Sequence, residues 1–571
     1  MLAAGLRLAN LGQSPPGLNQ DEAANAWNAW CLLETGNDQA GKSWPIFYTR
    51  ALGSNFTTLN IYLLIPFQAV GGLNAITTRL PAALGGILAV FLIYWVGKRL
   101  FGVSAGLLAA ALLAIDPWHL LTSRWGHEAN LCPLLAIVPL AMLLLARLPI
   151  GQADTRPPRV ALAGLAGVLT GVCCYGYPAI RIFLPLFVTA VIAVNGRAWW
   201  QLLKTRRGGL AVAAFALGGL VTFGPLVWQH LASPQDISRR TQGIWLWTEQ
   251  DSASQRFQKV LARYAGHFGP DFLFLDGDGW KMQAPPDMGQ LPWYMLPIMV
   301  LGLAHVLGSA RRCGAARLVL VWLLLYPVGD CLFAHAGDNG QASLHALRSS
   351  PGICGLVLLA AVGARQTGAW LARKGRKALW AAGAVLAAAV AAGTVPYLVT
   401  FFGEYNRRPI IYHRYHVDLV EACQWLRPRL DQVQAVFVTV QGDQPGRGII
   451  PFNQPYVTML VSLGYDPHQW FADPARFIAM GWDMYYRVGK LNFMYGMPET
   501  PVAPQAVPAG TKGRAVWQKA LEEIGQSGQP GQVAFLLRPW EVDPRRGFTP
   551  SHVIVRPDGV SVLGIYVQAI R

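Results

Sequence analysis

The feature that most restricts the fold of this chain is a series of apolar segments that approach the length of a bilayer crossing. A transmembrane helix needs about 20 mostly apolar residues. Of the 571 residues, 53% are hydrophobic and only 13% are charged, which is outside the range of soluble proteins of this length. The pattern predicts a polytopic α-helical membrane protein of about 10–11 spans. The predicted spans lie at 77–97, 103–121, 129–148, 161–177, 181–195, 209–228, 292–308, 316–333, 351–370 and 378–402.

Basic residues collect in alternate gaps between these segments, and this alternation sets the predicted topology. By the positive-inside rule such gaps face the cytoplasm, so the intervening acidic gaps face outward. The net charge of +17 is therefore explained by topology, and its distribution argues against a nucleic-acid partner. The basic gaps contain Lys98 and Arg99; Arg147, Arg156 and Arg159; Arg197, Lys204, Arg206 and Arg207; Arg311 and Arg312; and Arg373, Lys374, Arg376 and Lys377.

Two apolar stretches do not fit the series of spans. Residues 58–70 are short and contain Pro66, which predicts an interfacial or re-entrant helix on the outer side. The first 12 residues are apolar but have about half the length of a span. We expect them to be the end of a first transmembrane helix that begins upstream of Met1.

The pattern changes after residue 402, where helical and strand-like pieces alternate. Together they predict a small α/β domain over 403–571, separate from a membrane domain over 1–402 and extracytoplasmic by the charge parity. The predicted helices are 416–429, 455–463 and 514–525, and the predicted strands are 433–440, 487–494 and 532–538, followed by a hairpin across Pro557–Gly559.

Two adjacent carboxylates, Asp21 and Glu22, follow a Pro-Pro-Gly turn in the first outer loop. Acids next to a membrane are costly to place, which makes them candidates for a functional site. They also suit the acidic first turn of a surface helix, where the helix dipole favours them. Neighbouring residues point in different directions, so one of the two should face a substrate while the other orients the loop.

Further polar candidates lie in the next outer gaps. Arg124 and Glu128 are four residues apart, which on a helix gives either a local ion pair or a polar wall of a cavity. Asp116 lies one turn inside the preceding predicted span, where an acid is a candidate site residue by default. Asp116 and Glu128 are therefore predicted cavity residues, and Arg124 is also a candidate for binding a phosphate.

Cationic side chains at the outer surface are candidates for binding a phosphate. Arg181 follows a tight outer turn and either reaches the lipid headgroups or contacts a lipid phosphate. His345 and Arg348 are three apart and would share one helical face, as a phosphate-binding pair or as decoration of a helix start.

No residue spacing indicates a metal or another cofactor. The eight cysteines form neither a disulfide framework nor a zinc pattern. Asp276 and Asp278 lie in a sequence similar to part of a calcium loop, but its later ligand positions are wrong. A divalent metal is possible without being indicated.

The order of these pieces resembles the GT-C membrane glycosyltransferases, in particular family 39, which includes protein O-mannosyltransferases and the lipid A aminoarabinose transferase. The resemblance covers roughly residues 5–400. It rests on the Pro-Pro-Gly turn with Asp21 and Glu22, the interfacial segment, and the helix that starts at Arg79-Leu80-Pro81.

The resemblance implies a plasma-membrane enzyme whose outer loops close over a cavity. The donor would be a sugar on a polyprenyl phosphate, the acceptor hydroxyl would lose its proton to Asp21, and the anomeric centre would invert. The Lys-Pro-Pro run of the aminoarabinose transferase is absent here, so either Arg50 replaces its phosphate-binding lysine or the phosphate relies on Arg181 and Arg348. The alternative function is a transporter or flippase of lipid-linked sugars, which should show paired inverted halves with broken helices. The sequence specifies neither the sugar nor the acceptor.

Overall fold

The structure is a computed structural model of the whole chain. It describes all residues except 152–155, 235–244, 280–284, 286, 335–343, 442–454, 474–478, 481–483, 486, 495–530, 543–548 and 571. Its contacts divide the chain into two compact units. The helical unit comprises Met1–Leu11, Thr57–Asn60 and Arg79–Phe402, and the sheet unit comprises Gly12–Phe56, Ile61–Thr78 and Gly403–Arg571.

The helical unit is built from apolar helices joined by short connections. A short helix, Leu2–Leu8, begins the chain. The apolar helices are Ala75–Phe101, Val103–Ile115, Cys132–Leu145, Val160–Cys173, Pro178–Val194, Arg206–Ala232, Met295–Ser309, Gly314–Leu325, Ile353–Lys374 and Arg376–Phe402. Shorter helices are Pro117–Thr122, Gly196–Leu203, Ala253–Gly266, Val328–Cys331 and Ala346–Ser349.

These helices follow the ten predicted spans, with differences in length. Six helical stretches in the described residues are long and apolar enough to cross a membrane, or seven if Pro178–Val194 and Gly196–Leu203, bent by 78°, form one span. Three predicted spans are instead shorter apolar helices: Val103–Ile115, Val160–Cys173 and Met295–Ser309. At about 1.5 Å per residue each covers only part of the roughly 30 Å hydrocarbon layer.

Glycines allow two pairs of these helices to approach closely. A Cβ atom on Gly167 would lie 2.0 Å from the carbonyl oxygen of Phe215, on the neighbouring helix Arg206–Ala232. A Cβ atom on Gly363 would lie 1.8 Å from the carbonyl oxygen of Ile298. Small residues at helix crossings are the usual means of packing helices in lipid, where no hydrophobic force drives them together.

The sheet unit contains a mixed sheet of six strands. Residues Val433–Val438 form its centre and pair in parallel with Leu491–Phe493 and Gly531–Leu537, while the remaining pairs are antiparallel. The strand order is Arg487–Val488, Leu491–Phe493, Val433–Val438, Gly531–Leu537, Ser561–Ile570 and His552–Val555. Two-stranded pairings are Tyr48–Ala51 with Ser54–Thr57, and Ala479–Met480 with Met484–Tyr485.

Helices complete the sheet unit. The helix Gln20–Thr35 packs on Pro455–Leu463 and Pro467–Ala472, where the ring of Trp27 meets that of Trp470 edge-on at 6.0 Å. Further α-helices in the described part of this unit are Thr58–Gly71, whose residues from Ile61 onward belong to it, Pro409–Arg414 and Val417–Leu426. Alternate strand residues form the apolar core, as expected for a sheet with period-two side chains.

The structure modifies several predicted elements. The predicted helix 416–429 ends at Leu426 and continues as a 3₁₀ helix, Arg427–Gln432, because Pro428 cannot donate a helical hydrogen bond. The predicted strand 487–494 is two short strands with a turn at Gly489. The predicted helix 514–525 lies outside the described residues. Residues 12–56 and 61–78, assigned from sequence to the membrane domain, belong to the unit that contains the sheet.

Candidate functional site

The helix Gln20–Thr35 carries the predicted acid pair in its first turn. Its N-cap is Asn19, whose side-chain oxygen accepts the backbone N–H of Asp21 at 2.9 Å. The Glu22 carboxylate in turn accepts the backbone N–H of Asn19 at 3.2 Å, which completes a capping box. The Asn19 amide also donates to the carbonyl of Arg414 at 2.9 Å. The start of this helix is therefore fixed by these hydrogen bonds and by the backbone N–H of Glu22, which donates to the Asn19 side chain in the same capping box.

The two acids occupy different environments within that turn. The Glu22 side chain is fully buried, whereas Asp21 is partly exposed. Glu22 thus belongs to the internal structure of the turn. Asp21 is the member of the pair that presents a carboxylate to its surroundings, at a helix end where the dipole favours the ionised form.

Arg50, the candidate replacement for a phosphate-binding lysine, is exposed on the short strand Tyr48–Ala51. The loop before it is organised by Asp38, whose buried carboxylate accepts the backbone N–H groups of Ala40 at 3.0 Å and Lys42 at 2.8 Å. Burial raises the pKa of the Asp38 carboxyl, and these backbone hydrogen bonds act against that rise. Arg50 therefore lies on a short strand, and hydrogen bonds to the Asp38 carboxylate hold the loop that precedes this strand.

In the helical unit, Asp116 is a helix cap between two helices and not an acid inside a continuous span. Its carboxylate accepts the backbone N–H of His119 at 2.8 Å and so caps the helix Pro117–Thr122. Pro117 ends the preceding helix because it has no N–H for the carbonyl of Leu113. The sequence prediction of one helix over 103–121 is therefore wrong at this point.

A buried arginine from the first helix satisfies the carbonyls that this break exposes. The Arg7 guanidinium donates to the carbonyls of Leu113 at 3.1 Å and Ala114 at 3.0 Å, and lies 2.7 Å from the ring Nδ1 of His119. Arg7 has no exposed side-chain surface. This arrangement explains Asp116 and Arg7 as parts of a helix junction.

Arg124 has a similar structural role. Its guanidinium donates to the carbonyls of Leu6 at 2.7 Å and Ala9 at 2.6 Å, at the end of the helix Leu2–Leu8, and lies over the ring of Phe402. The expected helical face shared with Glu128 is not formed, because the backbone turns after Thr122 and is extended at His127. Glu128 is fully buried at the start of the 3₁₀ helix Glu128–Leu131.

Arg181 lies in the first turn of the helix Pro178–Val194. Its Nε donates to the carbonyl of Cys174 at 3.0 Å, across the tight turn from which the helix starts. The side chain is partly buried. Arg181 thus holds the turn with one edge of its guanidinium.

Asp330 is the centre of a buried charge cluster that includes Arg348. The Asp330 carboxylate lies 2.9 Å from Arg263, 3.3 Å from the ring Nε2 of His267 and 3.4 Å from Arg348. It also accepts the backbone N–H of His345 at 3.1 Å. Arg263, His267 and Asp330 are nearly fully buried, and 14% of the Arg348 side chain is exposed.

His345 and Arg348 do not form the predicted helical pair. His345 precedes the four-residue helix Ala346–Ser349 and has extended backbone angles, φ −112° and ψ 109°. The helix is capped by Asp278, whose carboxylate accepts the N–H of Ala346 at 2.8 Å and lies 4.0 Å from the ring of His345. Asp278 therefore has a capping role in the segment that resembled part of a calcium loop.

Sequence reasoning missed Asp330, Arg263 and His267. One signal was present for Asp330, since it is an acid inside the predicted span 316–333, and such acids are candidate site residues. The partners could not be identified in the same way, because Arg263 and His267 lie more than 60 residues away and are brought there by packing.

Within the described residues, no group of three or more His, Cys, Asp and Glu side chains could hold a metal ion.

Solved structures match this architecture, whereas no protein-family profile and no curated protein sequence does. ArnT from Cupriavidus metallidurans bound to undecaprenyl phosphate matches with a TM-score of 0.51 and 13% identity, over 100% of this chain and 97% of that chain. This chain has the GT-C fold. The apo state of the same ArnT gives a TM-score of 0.49 and 14% identity, over 100% of this chain and 96% of that chain.

A third match is the apo form of the Archaeoglobus fulgidus oligosaccharyltransferase, with a TM-score of 0.45 and 12% identity over 81% of this chain and 62% of that chain. The GT-C fold and the apolar helices make the chain a multi-pass membrane protein. The match to ArnT extends over the C-terminal residues that the sequence resemblance left uncovered. At 13% identity the shared property is the fold, and membership of family 39 remains a prediction.

Proposed function

We propose that this protein is a glycosyltransferase that moves a sugar from a polyprenyl phosphate to an acceptor hydroxyl. The observation that carries the proposal is the first turn of Gln20–Thr35, in which a capping box buries Glu22 and leaves Asp21 partly exposed. This is the arrangement expected of one reactive and one positioning carboxylate. The GT-C fold supports the same class of reaction by analogy.

Asp21 is the proposed general base, and Glu22 positions it through the capping box. In the reaction the acceptor hydroxyl gives its proton to the Asp21 carboxylate while its oxygen bonds to the anomeric carbon. The bond from that carbon to the phosphate oxygen breaks, and the polyprenyl phosphate leaves. A single displacement of this kind inverts the anomeric centre. A sugar or protein hydroxyl is a weak nucleophile, so a positioned base contributes about 10²–10⁴ to the rate.

The fold and the cationic side chains support this donor class. The ArnT structure contains undecaprenyl phosphate, and this chain would use a lipid of the same chemistry. Arg50 is exposed, so its side chain is the better placed candidate for contacting the phosphate. Arg348 is only partly exposed and is paired with Asp330, which makes it a weaker candidate. The Arg124 guanidinium already donates to two backbone carbonyls, which makes it a weaker candidate. Such cations would stabilise the charge that develops on the leaving phosphate.

We further propose that the reaction takes place at the outer surface of the plasma membrane. The charge alternation supports this location, because the gap that contains Asp21 and the residues after 402 have the outward parity. The sheet unit would then also be extracytoplasmic. The sugar and the acceptor are left open.

The test is incubation of the purified full-length protein in liposomes with polyprenyl-phosphate sugars labelled in the sugar. A transferase releases the label from the lipid, in parallel with formation of a free lipid phosphate. A flippase moves the label from one leaflet to the other and leaves it attached to the lipid. Movement without release would replace this proposal by the transport alternative.

A further inference from the structure

The sheet unit contains a cavity lined by polar and charged side chains. It has a volume of about 680 Å³ and lies between the end of the 3₁₀ helix Arg427–Gln432, the helix Pro467–Ala472 and the strands Arg487–Val488 and Leu491–Phe493. Known small-molecule sites have volumes of about 300–1,000 Å³. The cavity is thus large enough for a ligand such as a short oligosaccharide.

The lining is polar and carries mixed charges. Three carboxylates, Asp431, Asp466 and Asp473, face the same cavity as the cations Arg487 and Lys490. With two positive and three negative charges, the net charge of the lining is close to zero. Glutamine side chains and the phenol of Tyr465 add neutral donors and acceptors, and leucines supply apolar surface.

One wall of the cavity is fixed by its own hydrogen bonds. The Asp473 carboxylate accepts the N–H of Gly489 at 2.6 Å, and Arg487 Nε donates to the carbonyl of Gly489 at 3.2 Å. Lys490 donates to the carbonyl of Leu430 at 2.9 Å and so connects this turn to the opposite wall. The site therefore does not depend on a ligand for its shape, which lowers the entropic cost of binding.

Tyr465 and Gly489 meet closely inside this wall. Gly489 has φ +54°, and a Cβ atom there would lie 2.5 Å from the Tyr465 hydroxyl oxygen. Burial, together with the charges of Asp473 and Asp466, raises the pKa of the Tyr465 hydroxyl to about 12. The phenol remains protonated at neutral pH and is available as a hydrogen-bond donor.

We infer that this cavity binds an uncharged oligosaccharide. Each sugar hydroxyl is both a donor and an acceptor, so it can donate to Asp431 or Asp473 while it accepts from Arg487 or Lys490. The leucines and the Tyr465 ring would contact the C–H faces of the sugar. A phosphate or other anion would meet three carboxylates, and a cation would meet two basic side chains, so the lining disfavours both.

The test uses the full-length protein in detergent, labelled and applied to an array of uncharged, sialylated and phosphorylated oligosaccharides. The variant is Asp431→Ala with Gln469→Ala, since both side chains line the cavity and are exposed, so their removal should not disturb folding. The matched control is Asp558→Asn, in the exposed hairpin turn away from the cavity lining.

We expect at least one uncharged oligosaccharide to bind, and its affinity to fall about tenfold in the double variant through the loss of two hydrogen-bonding side chains. The Asp558→Asn variant should bind like the wild type. Absence of binding to every oligosaccharide on the array would overturn the inference. Equal binding by the double variant, or binding restricted to charged glycans, would also overturn it.

Discussion

The Arg263 guanidinium lies 2.9 Å from the Asp330 carboxylate, and both side chains are almost completely excluded from solvent. Arg348 lies 3.4 Å from the same carboxylate and is the most exposed member of the cluster. Two cations therefore share one buried anion. A buried ion that loses its partner is costly, whereas an exposed pair contributes little. Comparing the loss of stability on breaking a buried pair and a more exposed pair therefore tests whether the Asp330 cluster stabilises the fold.

Asp330→Ala should destabilise the protein by about 3–5 kcal/mol, because it leaves the buried Arg263 without its carboxylate. Asp330→Asn should cost less, since the amide oxygen can still accept hydrogen bonds. The control is Asp251→Ala, which removes a pair whose lysine, Lys259, is 42% exposed and should therefore cost far less stability. Thermal unfolding in detergent measures all three. Equal melting temperatures for Asp330→Ala and Asp251→Ala would show that the cluster does not hold the fold.

His416 should make the stability of the sheet unit depend on pH. Burial, reinforced by the charge of His413, lowers the pKa of the His416 ring to about 3. The folded state therefore resists protonation, and the unfolded state takes up the proton near pH 6.5. The contribution is complete above about pH 6.5 and is lost progressively as the pH falls towards about 3.

His416→Asn should flatten this dependence, since asparagine also tolerates the left-handed backbone at φ +47° and does not titrate. His468→Asn, at an exposed position, serves as the control and should retain the wild-type profile. Melting temperatures across this pH range give the comparison. Asp418 would act mainly at lower pH: burial alone would raise the pKa of its carboxyl, but the charge and hydrogen bond of Arg538, 2.7 Å away, together with the charges of His413 and His416, lower it overall. An unchanged slope in His416→Asn would contradict the assignment.

Asn19 should hold the first turn of Gln20–Thr35 through its cap rather than through its bond to Arg414. Asn19→Ala removes both and should destabilise the turn by about 1 kcal/mol. Asn19→Ser keeps a capping oxygen and removes the amide that donates to the Arg414 carbonyl, without adding a charge. Hydrogen exchange of the amides in the first turn should therefore accelerate in Asn19→Ala alone. Similar acceleration in both variants would assign the effect to the Arg414 contact.

The fold could be predicted from the sequence where local chemistry decides it. Apolar length located the membrane helices, because hydrocarbon requires every backbone hydrogen bond to be satisfied within a segment. The strand Val433–Val438 and the helix Pro455–Leu463 begin where they were predicted, since alternation and flanking turns specify them. Errors occurred at breaks such as Asp116–Pro117, where a proline ends one helix and a cap starts the next.

The candidate sites could be predicted only in part. Asp21 and Glu22 were visible as neighbours in sequence, but their different burial comes from the capping box and from packing within the sheet unit. The roles of Arg124 and Arg348 depend on partners far away in sequence, Leu6 and Asp330 among them. Charge spacing along one helix contains no information about such partners.

The proposed topology predicts different labelling of two cysteine positions by a membrane-impermeant maleimide. Val560→Cys, 48% exposed on the sheet unit, should react in intact cells. The native Cys313 is partly exposed beside Arg311 and Arg312, in a predicted cytoplasmic gap, and should react only after permeabilisation. The other seven cysteines are buried and should contribute little background. The reverse labelling pattern would invert the topology and with it the proposed location of the reaction.

In the proposed reaction, Asp21 takes the proton of the acceptor while Glu22 orients Asp21. Asp21→Asn keeps the size of the side chain, leaves the Asn19 cap in place and removes the basicity of the carboxylate. Glu22→Gln is the matched control, because glutamine can also complete a capping box. Neither change should alter the melting temperature much, so differences in activity would report on chemistry.

The deciding measurement is the rate of sugar release from a labelled polyprenyl-phosphate donor, in the presence of acceptor, by the wild type, Asp21→Asn and Glu22→Gln. We expect Asp21→Asn to be slower by about two to four orders of magnitude and Glu22→Gln to lose much less. Near-normal release by Asp21→Asn would contradict the account and return Asp21 to the role of a helix-start residue.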